Sequence, residues 1–244
     1  MRAKAVSTVT NIHHTVTNIH HRALPVRSNQ LGALDSLAVT MSCHRGEEIC
    51  CQSCAALFLY CVKSGAAIRY VARDDGHRQI VDLLFPGDFF GFAAGGEYDY
   101  AVDVVVEGTV LACYPRQRME LLADADPRLA RELREATLKA ISRLQAQLVI
   151  MGRITALEKV GSFLLEMAER MSDGSPELVL PISRYDVADY LALSVETVSR
   201  ALTDLKHRGV IKLCGTRCVK IVDQDALRGD RDSSPAYVYC RSTH

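Results

Sequence analysis

Residues 182–222 read ISRYDVADYLALSVETVSRALTDLKHRGVIKLCGTRCVKIV, and this stretch decides the fold of the C-terminal part of the chain. Ser183, followed three residues later by Asp186, is typical of a helix start. The hydroxyl can cap free amides, and the carboxylate lies near the positive end of the helix dipole. Residues 192–194 then form a short turn, and a second helix is predicted over about residues 195–207. The stretch therefore begins with two helices joined by a short turn.

The second helix of this stretch has one apolar side and one polar side. Its apolar residues recur at helical spacing and are predicted to face inward; they are Val198, Ala201, Leu202 and Leu205. Gly209 ends the helix, and residues 210–213 and 218–222 follow as the two strands of a hairpin. Two helices and a hairpin in this order indicate a winged helix-turn-helix, which presents the start of its second helix to the major groove of DNA.

Three polar residues near the start of the second helix have side chains that can read bases. Arg200 can direct two N–H donors at the O6 and N7 atoms of guanine, and Glu196 can accept a hydrogen bond from the N4 amine of cytosine. Ser199 can contact a neighbouring base or phosphate. An acid and an arginine one turn apart are more often a solvated ion pair, but the cap, turn and hairpin around them favour base recognition.

Further polar and basic residues of the same stretch are candidates for contacts with the DNA backbone. Residues 182–222 carry seven lysines or arginines against four acids, a positive balance that suits phosphate. A cluster of this size is also common on a solvated face, so it supports the interpretation without deciding it. The predicted backbone contacts are Ser194, Thr197, Lys206, Arg208, Lys212 and Arg217.

These residues resemble the CRP/FNR superfamily of bacterial transcription regulators. Residues 191–200, LALSVETVSR, are similar to its recognition segment and contain the E-x-x-S-R pattern of the FNR and FixK branches. Residues 60–65, YCVKSG, and 84–91, LFPGDFFG, look like the two glycine turns of the superfamily's β-roll sensor domain. The matching segments extend over about residues 45–222. Ala192 is a departure, since the turn commonly holds glycine, but its small size is compatible with the same turn.

The middle of the chain is predicted to form short strands separated by glycine turns. The candidate strands are residues 57–60, 67–71, 79–85, 100–106 and 110–114. Regularly spaced strands indicate a jelly-roll-like β-barrel, which agrees with the β-roll that the resemblance implies. The expected fold class is α+β: an N-terminal, jelly-roll-like β-roll sensor domain, a long dimerisation helix and a C-terminal winged helix-turn-helix.

A long helix is predicted from near Pro127 to about Met151. Four apolar residues at alternating steps of three and four form a narrow stripe suited to a seam between two helices; they are Ile141, Leu144, Leu148 and Met151. The alternative is a helix packed on its own β-roll, whereas the resemblance implies the central dimerisation helix. A further helix over about residues 155–171 and a strand at 177–180 lead into the helix-turn-helix.

These patterns divide the chain into five parts. The predicted parts are a flexible extension at residues 1–36, the β-roll at 37–126, the dimerisation helix at 127–153, the winged helix-turn-helix at 154–226 and a tail at 227–244. The extension contains the segment TVTNIHH at residues 8–14, repeated at 15–21, which is polar and too short for a core. Its two His-His pairs could bind a metal, but no Cys, Asp or Glu nearby completes a site.

Composition limits the class of protein. The chain has 244 residues, 48% of them hydrophobic, which is enough for two modest domains. No apolar run has the length of a membrane span, and the N-terminus lacks the apolar core of a signal peptide, so the expected location is the cytoplasm. The nine cysteines, an odd number without a secretion signal, are expected to be reduced thiols rather than a disulfide framework.

The CRP branch of the superfamily binds a cyclic nucleotide in its β-roll, through a Gly-Glu segment at the ribose and an Arg-Ser pair at the phosphate. Here Gly91 is followed by Phe-Ala-Ala, and residues 92–101 contain no Arg-Ser or Arg-Thr pair. Glu97 and Asp99 would meet the phosphate without a counter-charge. A cyclic-nucleotide-responsive protein is therefore the weaker alternative.

The FNR branch holds an iron–sulfur cluster on cysteines. Cys51, Cys54 and Cys61, with Cys113, have a similar spacing, and thiolates at such intervals could hold iron. The family's cysteines precede the β-roll, however, whereas Cys61 lies inside the strand before Gly65, where a thiol is more often a small buried hydrophobe. The FixK branch lacks the cluster. An iron–sulfur or thiol-based redox-sensing regulator is the principal alternative.

No arrangement of nucleophile and base, phosphate loop or metalloenzyme motif occurs in the sequence, so an enzyme is not expected. The expected protein is a homodimeric, sequence-specific transcription factor without cofactor or metal. The resemblance to the FixK branch implies an activator of low-oxygen respiration, denitrification or nitrogen-fixation genes that recruits RNA polymerase. It also implies binding to double-stranded DNA at an inverted repeat of TTGA-type half-sites, which two-fold symmetry places about one helical turn apart.

Overall fold

Eight strands pair into two four-stranded antiparallel sheets in the N-terminal half of the computed structural model, which describes residues 38–73, 76–171, 175 and 177–228. The strands are β1 (Val39–Cys43), β2 (Glu48–Cys50), β3 (Phe58–Ser64), β4 (Ala67–Ala72), β5 (Arg78–Leu84), β6 (Phe89–Phe90), β7 (Ala101–Val104) and β8 (Thr109–Pro115). One sheet has the order β1-β8-β3-β6 and the other β2-β7-β4-β5. Val62, Leu111 and Val102 are among the buried residues between them, so the domain is a β-roll.

The five strands predicted from the sequence are confirmed, with ends shifted by up to four residues. Strands β1, β2 and β6 were not predicted. Strands β2 and β6 contain only three and two residues, too few for an alternating pattern, and they exist because β7 and β3 pair with them. The repeated heptapeptide at residues 8–21 lies outside the described residues.

The turn between β3 and β4 requires glycine at position 65. Gly65 has a φ of +84°, and a Cβ there would overlap the Thr109 hydroxyl and lie 2.8 Å from Thr109 Cα. Thr109 is fully buried, where its hydroxyl accepts a hydrogen bond from the Ala66 amide at 3.2 Å and donates one to the Val106 carbonyl at 2.7 Å. A Cβ at position 65 would therefore require a shift of the Thr109 backbone or of its buried side chain.

Gly65→Ala is therefore expected to destabilise the protein more than Gly46→Ala. Gly46 also has a positive φ, +83°, but no atom lies within 4 Å of its added Cβ. Gly46→Ala should cost about 1–2 kcal/mol of unfolding free energy from backbone strain alone. Gly65→Ala should cost roughly 1–3 kcal/mol more, because the buried threonine is overpacked. Urea unfolding of both variants measures the difference, and equal losses would contradict the role of Thr109.

Two helices follow the β-roll: α1 (Arg116–Ala125) and α2 (Pro127–Met151). The predicted long helix is confirmed with the same ends, and the Asp126 side chain caps it by accepting from the Arg128 amide at 2.9 Å. Helix α1 was not predicted, since it buries only Met119 and so lacks a clear apolar stripe. Leu129 and Ala136 of α2 pack with residues of β3 and β8 on the outer side of the first sheet.

The C-terminal domain is a winged helix-turn-helix, as predicted. Helix α3 (Ala156–Arg170) precedes β9 (Glu177–Val179), α4 (Arg184–Leu191), α5 (Val195–His207), β10 (Ile211–Leu213), β11 (Cys218–Ile221) and α6 (Gln224–Arg228). The three strands form a sheet in the order β10-β11-β9. Helix α6 was missed, and the predicted boundary after residue 226 falls within it. Leu227 is buried against Gly161 of α3, so the domain continues beyond that boundary.

One apolar core extends from the β-roll into the C-terminal domain. Ile80 and Leu83 of β5 belong to the same buried cluster as Phe163 of α3 and Tyr190 of α4. Gln147 of α2 joins the two domains by donating to the carbonyls of Ile80 at 3.0 Å and Tyr190 at 3.3 Å. The first helix of the helix-turn-helix is thus held against the β-roll.

Ion pairs reinforce this junction. Arg78 of β5 contacts the carboxylates of Asp186 at 2.6 Å and Asp189 at 3.2 Å, both on α4. Asp88, in the turn after β5, contacts Arg143 of α2 at 3.1 Å and Arg170 of α3 at 2.8 Å. These contacts set the orientation of α4, and through it that of α5, relative to the rest of the chain.

Among the described residues, no helix has both the length and the apolar character needed to span a membrane.

Candidate DNA-binding interface

The turn between α4 and α5 is built by local hydrogen bonds. Ser183 caps the start of α4, as predicted, and the Asp186 side chain completes a reciprocal capping box by accepting from the Ser183 amide. Ala192 ends α4 in the left-handed region with a φ of +49°, a conformation that glycine adopts more easily. The short side chain of alanine is accommodated, so the turn is kept. Ser194 caps α5 by accepting from the Thr197 amide at 3.1 Å.

Helix α5 presents its polar side outward, as predicted. Its four inward apolar residues are all buried; they are Val198, Ala201, Leu202 and Leu205. Glu196 and Arg200 are exposed on the opposite side of the helix, and Ser199 lies half-buried at its edge. The structure thus brings the three predicted base-reading residues together within the first two turns of α5.

Arg184 is a further residue of this surface and is not among the residues predicted from the sequence. It is the first residue of α4, and its Nη1 donates to Ser199 Oγ at 3.4 Å. The contact places a positive charge beside a predicted base-reading hydroxyl. In the sequence, only its position directly after the cap of α4 points to Arg184. Its contact with Ser199 depends on how α4 crosses α5, which tertiary packing decides.

The predicted backbone-contacting residues fall into two groups. Ser194 and Thr197 lie at the start of α5, with their hydroxyls 2.9 Å apart, close to the base-reading residues. Lys206 is exposed nine residues after Thr197 on the same helix, about 14 Å away at 1.5 Å per residue. Arg208 follows the helix and pairs with Asp204 through contacts of 2.8 and 3.1 Å, so its charge is already compensated.

The wing carries the remaining predicted contacts. Lys212 is exposed on β10. Arg217 lies in the tip of the hairpin, where its Nη1 donates to the Pro181 carbonyl at 3.4 Å. This contact, together with the 2.8 Å bond from the Leu180 amide to the Arg217 carbonyl, holds the wing tip against the segment that leads into α4. A phosphate-binding surface can therefore extend from α4 and α5 across the wing.

Helix α2 exposes an apolar stripe on the side that faces away from the β-roll. Ile141 and Leu148 of the predicted seam are 45% and 71% exposed, while Leu144 and Met151 are half-buried at its edge. Leu138 and Val149, which are not part of the predicted seam, extend the stripe and are 54% and 56% exposed. The opposite side of α2 packs on the β-roll. The alternative interpretation, a helix packed on its own β-roll, is thus confirmed for that face of α2, and the dimer seam stays a prediction for the exposed face.

The four cysteines considered for a cluster are not brought together. In the register of β3 and β8, Cys61 pairs with Ala112 and Tyr60 pairs with Cys113, so the thiols of Cys61 and Cys113 point to opposite faces of the sheet. Cys51 and Cys54 are joined by a disulfide. The expectation that all cysteines are reduced is wrong for this pair, because a tight turn brings their Cα atoms within 5.4 Å. The described residues contain no group of three or more His, Cys, Asp or Glu arranged for a metal ion.

A cavity of about 400 Å³ lies between the segment after Gly91 and the helices α1 and α2. Arg116 lines it and donates to the carbonyls of Gly91 at 2.7 Å and Ala93 at 2.8 Å. The Gly91 amide donates to the Tyr100 hydroxyl at 2.9 Å. Asp99 and Glu120 also line the cavity. The one arginine that lines this cavity thus already donates to two backbone carbonyls, and two carboxylates line the cavity with it.

A winged helix-turn-helix with an exposed acid–arginine pair at the start of its second helix, joined to a β-roll by a long helix, defines a DNA-binding transcription regulator. The profile of the Crp-like helix-turn-helix domain matches residues 158–229, and that of the cyclic nucleotide-binding domain matches residues 40–126.

Similar proteins place this regulator in a family. The nitrogen fixation regulation protein FixK of Rhizobium meliloti is 38% identical over 183 residues, which cover 75% of this chain and 82% of that protein. The transcriptional activator protein FnrL of Cereibacter sphaeroides is 34% identical over 204 residues, covering 80% and 82%. The structure of FixK2 from Bradyrhizobium japonicum has a TM-score of 0.75 and 34% identity, and the match covers 82% of this chain and 99% of that one. The chain belongs to the CRP/FNR family of transcription regulators and is similar to its FixK members.

Proposed function

We propose that this protein is a FixK-type transcription activator that binds, as a homodimer, an inverted repeat of TTGA-type half-sites. The observation that carries the proposal is the exposed Glu196 and Arg200 pair, presented by a helix whose opposite side is fully packed. Similarity to FixK and FnrL, which are named as a nitrogen fixation regulator and an activator, supports genes of low-oxygen respiration, denitrification or nitrogen fixation as targets.

The chemistry of the half-site fits this pair of residues. A TTGA sequence contains a single G·C base pair. Arg200 can donate two hydrogen bonds to the guanine of that pair, and Glu196, one helical turn earlier, can accept from the N4 amine of a cytosine. Arg184 and Ser199 then lie beside them to contact a neighbouring base or phosphate. The carboxylate of Glu196 beside Arg200 repels phosphate, so this part of α5 disfavours non-specific binding. In this proposal α5 supplies the sequence specificity, and the basic wing supplies affinity for the DNA backbone.

The exposed stripe on α2 supports the homodimer. Its four large apolar residues would stay in water in a single chain, whereas two antiparallel or parallel copies of α2 would cover them. A two-fold dimer presents two copies of α5 to successive major grooves, which explains a repeated half-site. In this function the protein acts in the cytoplasm and contacts RNA polymerase beside its operator, as the resemblance to the family implies.

Binding is proposed to require neither a cyclic nucleotide nor a metal cluster. A cyclic phosphate in the β-roll cavity would meet Asp99 and Glu120, and Arg116 is already bonded to two carbonyls. An anion without a free counter-charge is unfavourable there. The alternative of an iron–sulfur cluster is not favoured, because Cys61 and Cys113 lie on opposite faces of one sheet and cannot bind the same cluster.

We expect reduced, metal-free protein to bind operator DNA in air at full affinity. If a ligand were needed to populate the binding-competent arrangement, the affinity without it would fall by the competent fraction. Gel-shift titrations with and without cAMP, with iron measured in the same sample, test this. A stimulation by cAMP of tenfold or more would overturn the ligand-free proposal. A requirement for anaerobically added iron and sulfide would favour the redox-sensing alternative instead.

A further inference from the structure

The turn between β2 and β3 carries a Cys-x-x-Cys segment at residues 51–54 that the proposed function does not use. Its two sulfurs are bonded, and both cysteines are half-buried on either side of the exposed Gln52 and Ser53. The Cys54 amide donates to the Cys51 carbonyl at 3.2 Å, and Ser53 has a φ of +64°. The backbone turn itself therefore brings the two thiols together, with no demand on distant parts of the chain.

The other cysteines of the β-roll differ from this pair in burial. Cys43, Cys50, Cys61 and Cys113 are all buried in its cores. Burial raises the pKa of the thiols of Cys43 and Cys50 to about 12 and that of Cys113 to about 11. A thiol that stays protonated at neutral pH attacks oxidants slowly. Within the described part of the β-roll, Cys51 and Cys54 are thus the thiols that solvent oxidants can reach.

We propose that Cys51 and Cys54 form a redox-active dithiol site whose oxidant is a hydroperoxide and whose reductant is a small dithiol. One thiolate attacks the peroxide, the O–O bond breaks, and a sulfenic acid and one water (or alcohol) form. The second thiol then attacks this sulfur, the S–S bond forms and a second water leaves. Two thiols are oxidised and one hydroperoxide is reduced. Thiol–disulfide exchange with the dithiol restores both thiols and leaves the reductant as its disulfide.

The oxidised turn holds a neighbouring segment of the β-roll. The Ser53 amide donates to the Tyr98 carbonyl at 2.7 Å, and the Tyr98 amide donates to the Cys54 carbonyl at 2.9 Å. The Ala56 amide adds a bond of 2.8 Å to the Gly96 carbonyl. Two residues after Tyr98, the Tyr100 hydroxyl binds the Gly91 amide at the edge of the cavity. Reduction of the disulfide should therefore increase the local opening of residues 96–98 before other parts of the β-roll, because the turn at residues 51–54 that holds them loses its cross-link.

Alkylation and mass mapping of the full-length chain test the chemistry. Reduced protein is treated with one equivalent of hydrogen peroxide and then with an alkylating agent. Trypsin releases residues 46–63, which contain four of the cysteines, after Arg45 and Lys63. We expect Cys50 and Cys61 to be alkylated after denaturation, and Cys51 and Cys54 to carry no alkyl group and to have lost one hydrogen atom each. Alkyl groups on both Cys51 and Cys54, or a disulfide that includes Cys50, would overturn the proposal.

Amide hydrogen exchange tests the structural consequence. The amides of Ser53 and Tyr98 should exchange roughly tenfold faster in reduced than in oxidised protein, since local opening becomes easier. The double variant Cys51→Ser/Cys54→Ser should exchange at the faster rate with or without peroxide. The matched variant Cys214→Ser/Cys218→Ser, which removes the two wing thiols, should behave as the native chain. Equal exchange rates in the two redox states would show that the disulfide does not anchor residues 96–98.

Discussion

Arg200→Ala is expected to abolish sequence-specific DNA binding and to leave weak, salt-sensitive binding to random DNA. The substitution removes the two donors available to guanine, with a loss of about 1–3 kcal/mol per half-site. This corresponds to roughly 5- to 160-fold in affinity for each half-site, and a dimer would lose it twice. Titrations of operator and random DNA at several salt concentrations measure both affinities.

Two matched variants separate the guanine contact from simple loss of charge. Arg200→Lys keeps the charge but not the forked pair of donors, so it should also lose specific binding while keeping binding to random DNA. Arg45→Ala removes an exposed arginine from the turn between β1 and β2 of the β-roll, outside the predicted DNA-binding residues, and should have a small effect on both affinities. Unchanged operator affinity for Arg200→Ala would mean that another residue is the main reader.

Leu148→Glu is expected to convert the proposed dimer to monomer and to weaken operator binding with it. Leu148 is 71% exposed in the single chain, so a charge there costs the monomer little. In the dimer the carboxylate would be buried in an apolar seam, at a cost of several kcal/mol. Sedimentation over a range of protein concentrations measures the dissociation, and thermal unfolding checks that the fold is kept.

Lys139→Gln is the control for this experiment. Lys139 is exposed on the same helix one turn after the buried Ala136, on the flank between the β-roll and the apolar stripe. The variant changes the net charge of α2 by the same amount as Leu148→Glu and should remain a dimer. Leu144 is a less informative site, since it is half-buried in the single chain and a charge there would also disturb the fold. A tight Leu148→Glu dimer would place the seam elsewhere.

The sequence by itself determined the elements that depend on neighbouring residues. The caps at Ser183 and at Asp126 depend on contacts between residues two or three positions apart, and the inward stripe of α5 follows from the spacing of its apolar residues by three and four. Such contacts form in the same way wherever the helix is placed, so local patterns predict them. This is why helix α5 and the exposure of Glu196 and Arg200 could be predicted from the sequence alone.

The tertiary structure alone decided which distant segments meet. Strands β2 and β6, the opposite orientations of Cys61 and Cys113, and the contact of Arg184 with Ser199 depend on register or on helix crossing. A shift of one residue in strand pairing reverses the face of every side chain, and no local pattern sets that register. The attachment of α4 to β5 through Arg78 joins residues more than a hundred positions apart. It forms because burial of the shared apolar core brings the two domains together.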